Sequence, residues 1–387
     1  MLASLANQLA SDLESLRRAD RLRSCPAVAG SSRIQVTLDG NDLLSFCSND
    51  YLGLACHPNL QKAASAAIAR SGLGAGSARL VAGNLPDHRS LERTIATLVR
   101  LPSALLFPTG YQANLGVLTA LAGPQDLIVA DRAVHASLID GCRLSRAKLA
   151  LYPHLDLGVA ENHLQRLGPK ARRRILVTES LFSMDGDIAP LSELASISTA
   201  YDAALLVDEA HSIGTFGPSG AGLCAQQGVI PDILVGTLGK AVGASGAFAA
   251  GTGDLCHYLV NRARSFIFTT ALPPCIAASA EAAIHIISSS EGDDRRILLR
   301  ALITHLRTKL SLPPNQTPSP ILPVILGSDS AAVLASAYLR NKGFLVPAFR
   351  PPTVRDGTSR LRITLSALHK LEDVSSLADA PLSCLRT

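Results

Sequence analysis

Residues 204–240 constrain the fold more than any other stretch of this chain. An apolar run, Ala204-Leu205-Leu206-Val207, ends in Asp208-Glu209-Ala210-His211. A second run, Ile233-Leu234-Val235, leads into Gly236-Thr237-Leu238-Gly239-Lys240. Short apolar runs bounded by polar residues or glycine are the pattern of strands buried on both faces of a parallel sheet. In such sheets functional groups collect at the carboxyl ends of the strands. An aspartate, a histidine, a threonine and a lysine are therefore expected in one crevice.

That set suits pyridoxal phosphate (PLP). A lysine can form a Schiff base with its aldehyde, and an aspartate can keep the pyridine nitrogen protonated so that the ring withdraws electrons. A small hydroxyl residue near the lysine can hold the phosphate. The competing reading is a buried, salt-bridged aspartate and a surface lysine. Asp-Glu-Ala-His also occurs in helicases, but the chain has no G-x-x-x-x-G-K-[ST] to bind a nucleotide triphosphate.

The chain has 387 residues, 47% hydrophobic and 17% charged, enough for a large core and a second, smaller domain. A net charge of +5 suits a cleft for anions such as phosphate or CoA. Aromatic residues make up only 4%, with no recurring basic-aromatic pattern, which argues against nucleic-acid binding. Eight cysteines form no C-x-x-C pair, so neither a metal site nor a disulfide framework is expected. Free, buried thiols in a reducing cytoplasm are the expectation. Asp12 and Glu14 interrupt any signal-peptide pattern, and no run of about eighteen apolar residues suggests a membrane span.

Residues 1 to about 24 carry leucines near one helical face (Leu2, Leu5, Leu9, Leu13, Leu16) and end in Arg17, Arg18, Arg21 and Arg23. Most of these arginines suit a solvated face; one could reach a substrate carboxylate. Residues 104–107 read as a strand feeding Pro108-Thr109-Gly110-Tyr111 and an apolar helix through Leu121. That layout offers an anion the N–H groups and dipole of a helix start. Strands are also expected at 126–130, followed by His135, and at 174–178, followed by Glu179 and the tight loop 182–187. Pro190 then starts a helix. Further on, 246–251 suits a strand, Pro273-Pro274 a hinge, and 275–310 a helix. A proline-rich connection over 313–323, a strand at 321–326, a helix at 331–342 and an alternating strand at 360–364 complete the pattern.

Together, Ser48-Asn49-Asp50-Tyr51-Leu52-Gly53, Thr178-Glu179 with Phe182-Ser183-Met184-Asp185-Gly186-Asp187, Asp208-Glu209-Ala210-His211, Thr237-Leu238-Gly239-Lys240 and Arg360-Leu361-Arg362 resemble the α-oxoamine synthases. These are PLP enzymes of the aspartate-aminotransferase fold, and the resemblance covers nearly the whole chain. It implies an α/β fold: a large PLP-binding domain over 41–275, with a mostly parallel sheet flanked by helices. A small α+β domain would come from both termini, 1–40 and 276–387.

The resemblance also implies roles. Lys240 holds PLP, Asp208 pairs with the pyridine nitrogen, His135 stacks on the ring and contacts substrate, and His211 contacts the ring hydroxyl. Glu179 and Ser183 lie beside the cofactor. Thr237, Gly110 and Tyr111 bind at the phosphate, and Thr269 or Thr270 reaches the phosphate of a neighbouring subunit in a homodimer. Asn49 lies near the substrate, Arg362 grips the amino-acid carboxylate, and Arg23, Arg350 and Thr353 meet the acyl substrate. Arg355 stands where a proline commonly follows Pro-Pro-Thr-Val, and Tyr111 where phenylalanine is frequent. The reaction implied is a decarboxylative condensation of an amino acid with an acyl thioester. Arg350-Pro351-Pro352-Thr353-Val354 and the compact chain point within the family to L-alanine and a pimeloyl thioester, on CoA or acyl carrier protein. Glycine with acetyl-CoA is the alternative within the family. A non-catalytic partner subunit is the alternative outside catalysis, and the presence of Lys240, Asp208 and His211 argues against it.

Overall fold

A computed structural model describes residues 4–30, 34–312 and 319–380. Leu2, Cys384 and residues 313–318 of the expected proline-rich connection lie outside the described residues. The chain forms two compact units.

The larger unit takes residues 52–183 and 187–297. Its sheet has seven strands: β1 Ser103–Phe107, β2 Leu127–Asp131, β3 Lys148–Tyr152, β4 Arg174–Glu179, β5 Ala204–Asp208, β6 Ile233–Thr237 and β7 Ala247–Gly251. Their order is β1-β7-β6-β5-β4-β2-β3. The pairs from β6 to β3 are all parallel, and β7 runs antiparallel to both β6 and β1. Every residue of β2 is buried, as is nearly all of β4, β5 and β6. Helices on both faces remove these side chains from water, at roughly 1.5–3 kcal/mol for each large aliphatic one. Because the inner strands are parallel, their last residues, Asp131, Glu179, Asp208 and Thr237, lie at one end of the sheet. Glu179 and Asp208 are register partners.

The expected strands all form within a residue or two. Elements not expected from the sequence also appear, among them the edge strand β3 and the helices Pro58–Ser71, Ala136–Leu144, Leu157–Leu167 and Gly253–Arg262. In β3, Lys148 and Leu151 are exposed, so its pattern lacks the continuous apolar run of an inner strand. Pro58–Ser71 buries only Leu60 and Ala67 and is otherwise rich in alanine, which gives little periodicity.

The smaller unit takes residues 4–51, 184–186 and 298–380 of those described. One sheet joins Val28–Ala29, Gln35–Leu38, Asn41–Ser45 and Phe344–Leu345; the other places Ser359–Thr364 between Ile321–Gly327 and Ala348–Phe349. The unit boundaries fall at 51/52 and 297/298 rather than near 40 and 275. Asn41–Ser45 pairs with strands of the small sheet, and Pro274–Ile287 packs on the helices Pro58–Ser71 and Pro86–Val99 of the larger unit.

Several local expectations are corrected. The amino-terminal helix is Leu5–Arg18, with Ala19 as its carboxyl cap, so Arg21 and Arg23 stand beyond it. The stretch 275–310 divides into Pro274–Ile287 and Ser290–Lys309. The break falls at the serine run 288–290, where hydroxyls compete for backbone groups. Residues 264–267 form a short helix before the expected hinge. Ser359–Thr364 is buried at every position, because it is the central strand of its sheet. Seven described cysteines are free; Cys142, Cys224, Cys256 and Cys275 are buried, but Cys25 and Cys56 are exposed and Cys47 is half-buried.

Candidate active site

The larger unit gathers its chemistry at the carboxyl end of the sheet. Lys240 follows β6, and its Nζ lies 2.7 Å from Nε2 of His211, which follows β5. Lys240 is half-buried and His211 buried. The turn that carries Lys240 closes where Gly243 N–H donates to Lys240 O at 2.8 Å. Gly243 has φ of +71°, and a Cβ there would stand 2.5 Å from the backbone nitrogen of Ala55. Only glycine allows both the conformation and the approach.

Asp208 is 5% exposed. Its Oδ1 accepts from Ala210 N–H at 2.9 Å and its Oδ2 from Asn114 Nδ2 at 2.8 Å. Asn114 spends its other N–H on Ser137 Oγ at 2.9 Å, and that hydroxyl lies 2.8 Å from His135 Nδ1. Ser137 N–H also donates to His135 Nδ1. Nδ1 is thus an acceptor, and the proton of a neutral His135 sits on Nε2. Desolvation holds His135 below the ordinary histidine pKa, Asp208 opposes it and Lys240 adds to it. His135 is exposed. Asn114 and Ser137 were not singled out from the sequence. A polar asparagine inside the apolar helix Gly110–Leu121 was the available signal.

Glu179 is buried and accepts N–H bonds from His135 and Ser183. Burial and the neighbouring Asp208 push its carboxyl up to about 8, against the pull of Lys240 and the two N–H groups. Thr237 Oγ1 donates to Gly246 O at 3.1 Å and accepts from Gly239 N–H at 3.2 Å. A Cβ on Gly110 would stand 3.9 Å from Thr237 Cβ and Oγ1, so the helix Gly110–Leu121 begins against this threonine. Thr109 caps that helix through Gln112 N–H. Tyr111 is exposed and donates its hydroxyl to Asp140. Thr269 and Thr270 lie apart from this cluster in sequence, and Thr270 pairs with Ala78 of the glycine-rich segment. Glu209, the second acid of the Asp-Glu-Ala-His stretch, is structural. It accepts from Ser212 Oγ and from the N–H groups of Leu223 and Cys224, and a Cβ on Gly222 would collide with it.

The smaller unit holds two further sets. Arg362 is buried, lies 3.3 and 3.4 Å from Asn49 Oδ1 through its two terminal nitrogens, and stands over the Phe349 ring. Tyr51 donates to the same Asn49 oxygen at 3.1 Å; burial pushes its phenol up to about 12. In the second set Arg23 Nη2 donates to the carbonyls of Pro351 and Arg350 at 3.0 and 3.3 Å, and Arg350 donates to Asp20 O. Thr353 is exposed, and its N–H donates to Arg350 O at 3.1 Å. Arg17 and Arg18 pair with Glu14, and Arg21 with Asp329 and Asp356. Among the described residues, Arg23 is the arginine of that cluster with no carboxylate partner.

A family model described as aminotransferase class I and II matches residues 41–380. The chain belongs to this family. Within it, the chain is 45% identical to an 8-amino-7-oxononanoate synthase from Marinobacter nauticus, over 96% of this chain and 94% of that protein. A serine palmitoyltransferase from S. paucimobilis superposes with a TM-score of 0.90 at 28% identity, over 99% of this chain and 100% of that one. The 8-amino-7-oxononanoate synthase from Francisella tularensis superposes at 0.75 and 30% identity, over 88% and 97%. The cofactor of the class I and II family member described here is PLP. The donor set fits it: an amine for the aldehyde, a buried carboxylate with spare lone pairs for the ring nitrogen, an exposed imidazole, and a capped helix start beside a hydroxyl for the phosphate. Among the described residues no helix is long and apolar enough to cross a membrane.

Proposed function

We propose that this chain is an 8-amino-7-oxononanoate synthase. It condenses L-alanine with a pimeloyl thioester on CoA or acyl carrier protein, releasing CO2 and the thiol, a step of biotin synthesis. The observation that carries this reading is 45% identity over nearly the full length to a protein of that name. The nearer superposition on a serine palmitoyltransferase, at 28% identity, speaks to the shared fold rather than to the substrate.

PLP, when bound, supplies an electron sink that makes the alanine Cα–H acidic. Lys240 is the base that takes and returns the proton at Cα, and His211, 2.7 Å from its Nζ, accepts a hydrogen bond that steers the amine. Asp208 holds the proton on the ring nitrogen. Its carboxylate is buried and fixed by Asn114 and Ala210, so it need not reorganise as charge develops. His135 would stack on the ring and keep water from it. The start of the helix Gly110–Leu121 and Thr237 hold the phosphate. In the smaller unit, Arg362 supplies a planar cation for the amino-acid carboxylate, with Asn49 orienting it. Arg23, with Arg350 and Thr353 beside it, meets the far end of the acyl chain. A homodimer in which Thr269 or Thr270 reaches the neighbouring subunit's phosphate completes the reading.

The test is an absorbance titration of PLP-loaded protein with L-alanine and with glycine, each followed by pimeloyl-CoA or acetyl-CoA. The expected result is a spectral shift with alanine and thiol release only on adding pimeloyl-CoA. A response to glycine and acetyl-CoA instead would move the function to glycine C-acetyltransferase. Protein without a visible PLP band would overturn the reading of Lys240.

A further inference from the structure

His154 follows β3 and faces two carboxylates within the larger unit. Its Nδ1 lies 3.1 Å from both oxygens of Asp131, and its Nε2 lies 2.6 Å from Asp187 Oδ2. Asp131 ends β2, is fully buried, and also accepts from the N–H groups of Ala133 and Leu155 at 2.8 Å each. Asp187 closes the tight loop after β4: Phe182 N–H donates to Asp187 O at 3.0 Å, and the Phe182 ring meets His154 edge-on at 4.4 Å. Carboxylates accept, so an imidazole that serves one with each nitrogen donates from both and is cationic. None of the roles assigned above uses this residue.

We propose that His154 is a positioning residue: held by Asp131 on one ring nitrogen and by Asp187 on the other, it fastens the loop that carries Ser183 to the end of the parallel sheet. The effect reaches the reacting centre through Glu179, which accepts from the backbone N–H groups of both Ser183 and His135. The Ser183 loop and the segment after β2 are therefore joined twice, once by His154 and once by Glu179. With the His154 joint open, Glu179 alone must hold His135 and Ser183 in place. Burial would lower the ring's pKa, but the hydrogen bonds it donates to Asp131 and Asp187 outweigh it and raise it to about 10. The groups facing the ring are these two carboxylates, with the buried Tyr152 phenol, itself pushed up by burial, beyond Asp131.

The clamp itself does not depend on the PLP reading; its effect on the cofactor does. In protein labelled with 15N-histidine and free of cofactor, both ring nitrogens of His154 are expected to carry protons near pH 8, with the resonance assigned by His154→Gln. A neutral ring there overturns the proposal. Asp187→Asn keeps the Asp131 pair and changes a side chain that is 36% exposed, so the variant should fold. It is expected to speed native-state cleavage of cofactor-free protein within 182–187 by about fivefold or more. In the PLP-loaded variant the pH midpoint of the visible absorbance should move by about half a unit or more. A lowered melting temperature with both readouts unchanged would make His154 merely structural and overturn the proposal. Wild-type protein that takes up no PLP would refute the functional reading, while ring protonation and loop cleavage would still decide the clamp.

Discussion

Asp208 and Glu179 show how one environment separates two carboxylates. They are neighbours in register at the ends of adjacent strands, and both are buried. Asp208 is fixed by Asn114 Nδ2 and Ala210 N–H, whereas Glu179 is raised to about 8 by burial and by Asp208 itself. Like charges at neighbouring strand ends disfavour joint ionisation, and burial beside Asp208 favours the protonated form of Glu179. Asp208→Asn keeps the shape and removes the charge that keeps the ring protonated. Exchange of the alanine Cα proton with deuterated solvent should then slow by about a hundredfold or more. Unchanged exchange would remove Asp208 from that role.

At the scale of elements, the turn from β6 into β7 sets where Lys240 points. Gly243 holds φ of +71° with the backbone of Leu54 and Ala55 where a Cβ would go, at 2.7 and 2.5 Å. Gly243→Ala adds the left-handed penalty and a backbone collision. We expect a loss of about 2 kcal/mol or more in unfolding free energy, measured by denaturant titration. The shift of the Lys240 turn should also weaken PLP uptake. These inner strands were legible because burial on both faces leaves a continuous apolar run, and because a parallel sheet puts functional residues just past that run. The edge strand β3 was not, since one side of it meets water and Lys148 and Leu151 break the run. The strand Ser359–Thr364 alternates in sequence yet is buried throughout, because neighbours on both edges and packing on both faces enclose Arg360 and Arg362.

For the molecule as a whole, charge sets two expectations. His154 has a folded pKa of about 10, above its unfolded value, so its contribution to stability is full below about 6.5 and is lost as pH rises through 10. The melting temperature should therefore fall across that window, and His154→Gln should flatten this part of the profile. An equal slope in the variant would assign the trend to other groups. The second expectation concerns Arg23, whose neighbours in the cluster are already held by Glu14, Asp329 and Asp356. Arg23→Ala should raise KM about tenfold for a pimeloyl donor with a free terminal carboxylate, and much less for its methyl ester. Equal losses for both donors would contradict a carboxylate-specific role.

The sequence by itself determined the parallel α/β core, the residues at its strand ends and the resemblance that named PLP. Period, run length and the position of Asp208, His211, Thr237 and Lys240 are local properties of the chain. Tertiary structure alone decided which groups partner them. The line Asp208–Asn114–Ser137–His135 joins three separate segments, and the grip on His154 joins β2, the turn after β3 and the loop after β4. Only the fold distinguishes Arg21, engaged with two aspartates, from nearby Arg23, because hydrogen-bond partners hundreds of residues apart leave no periodic trace in a single sequence.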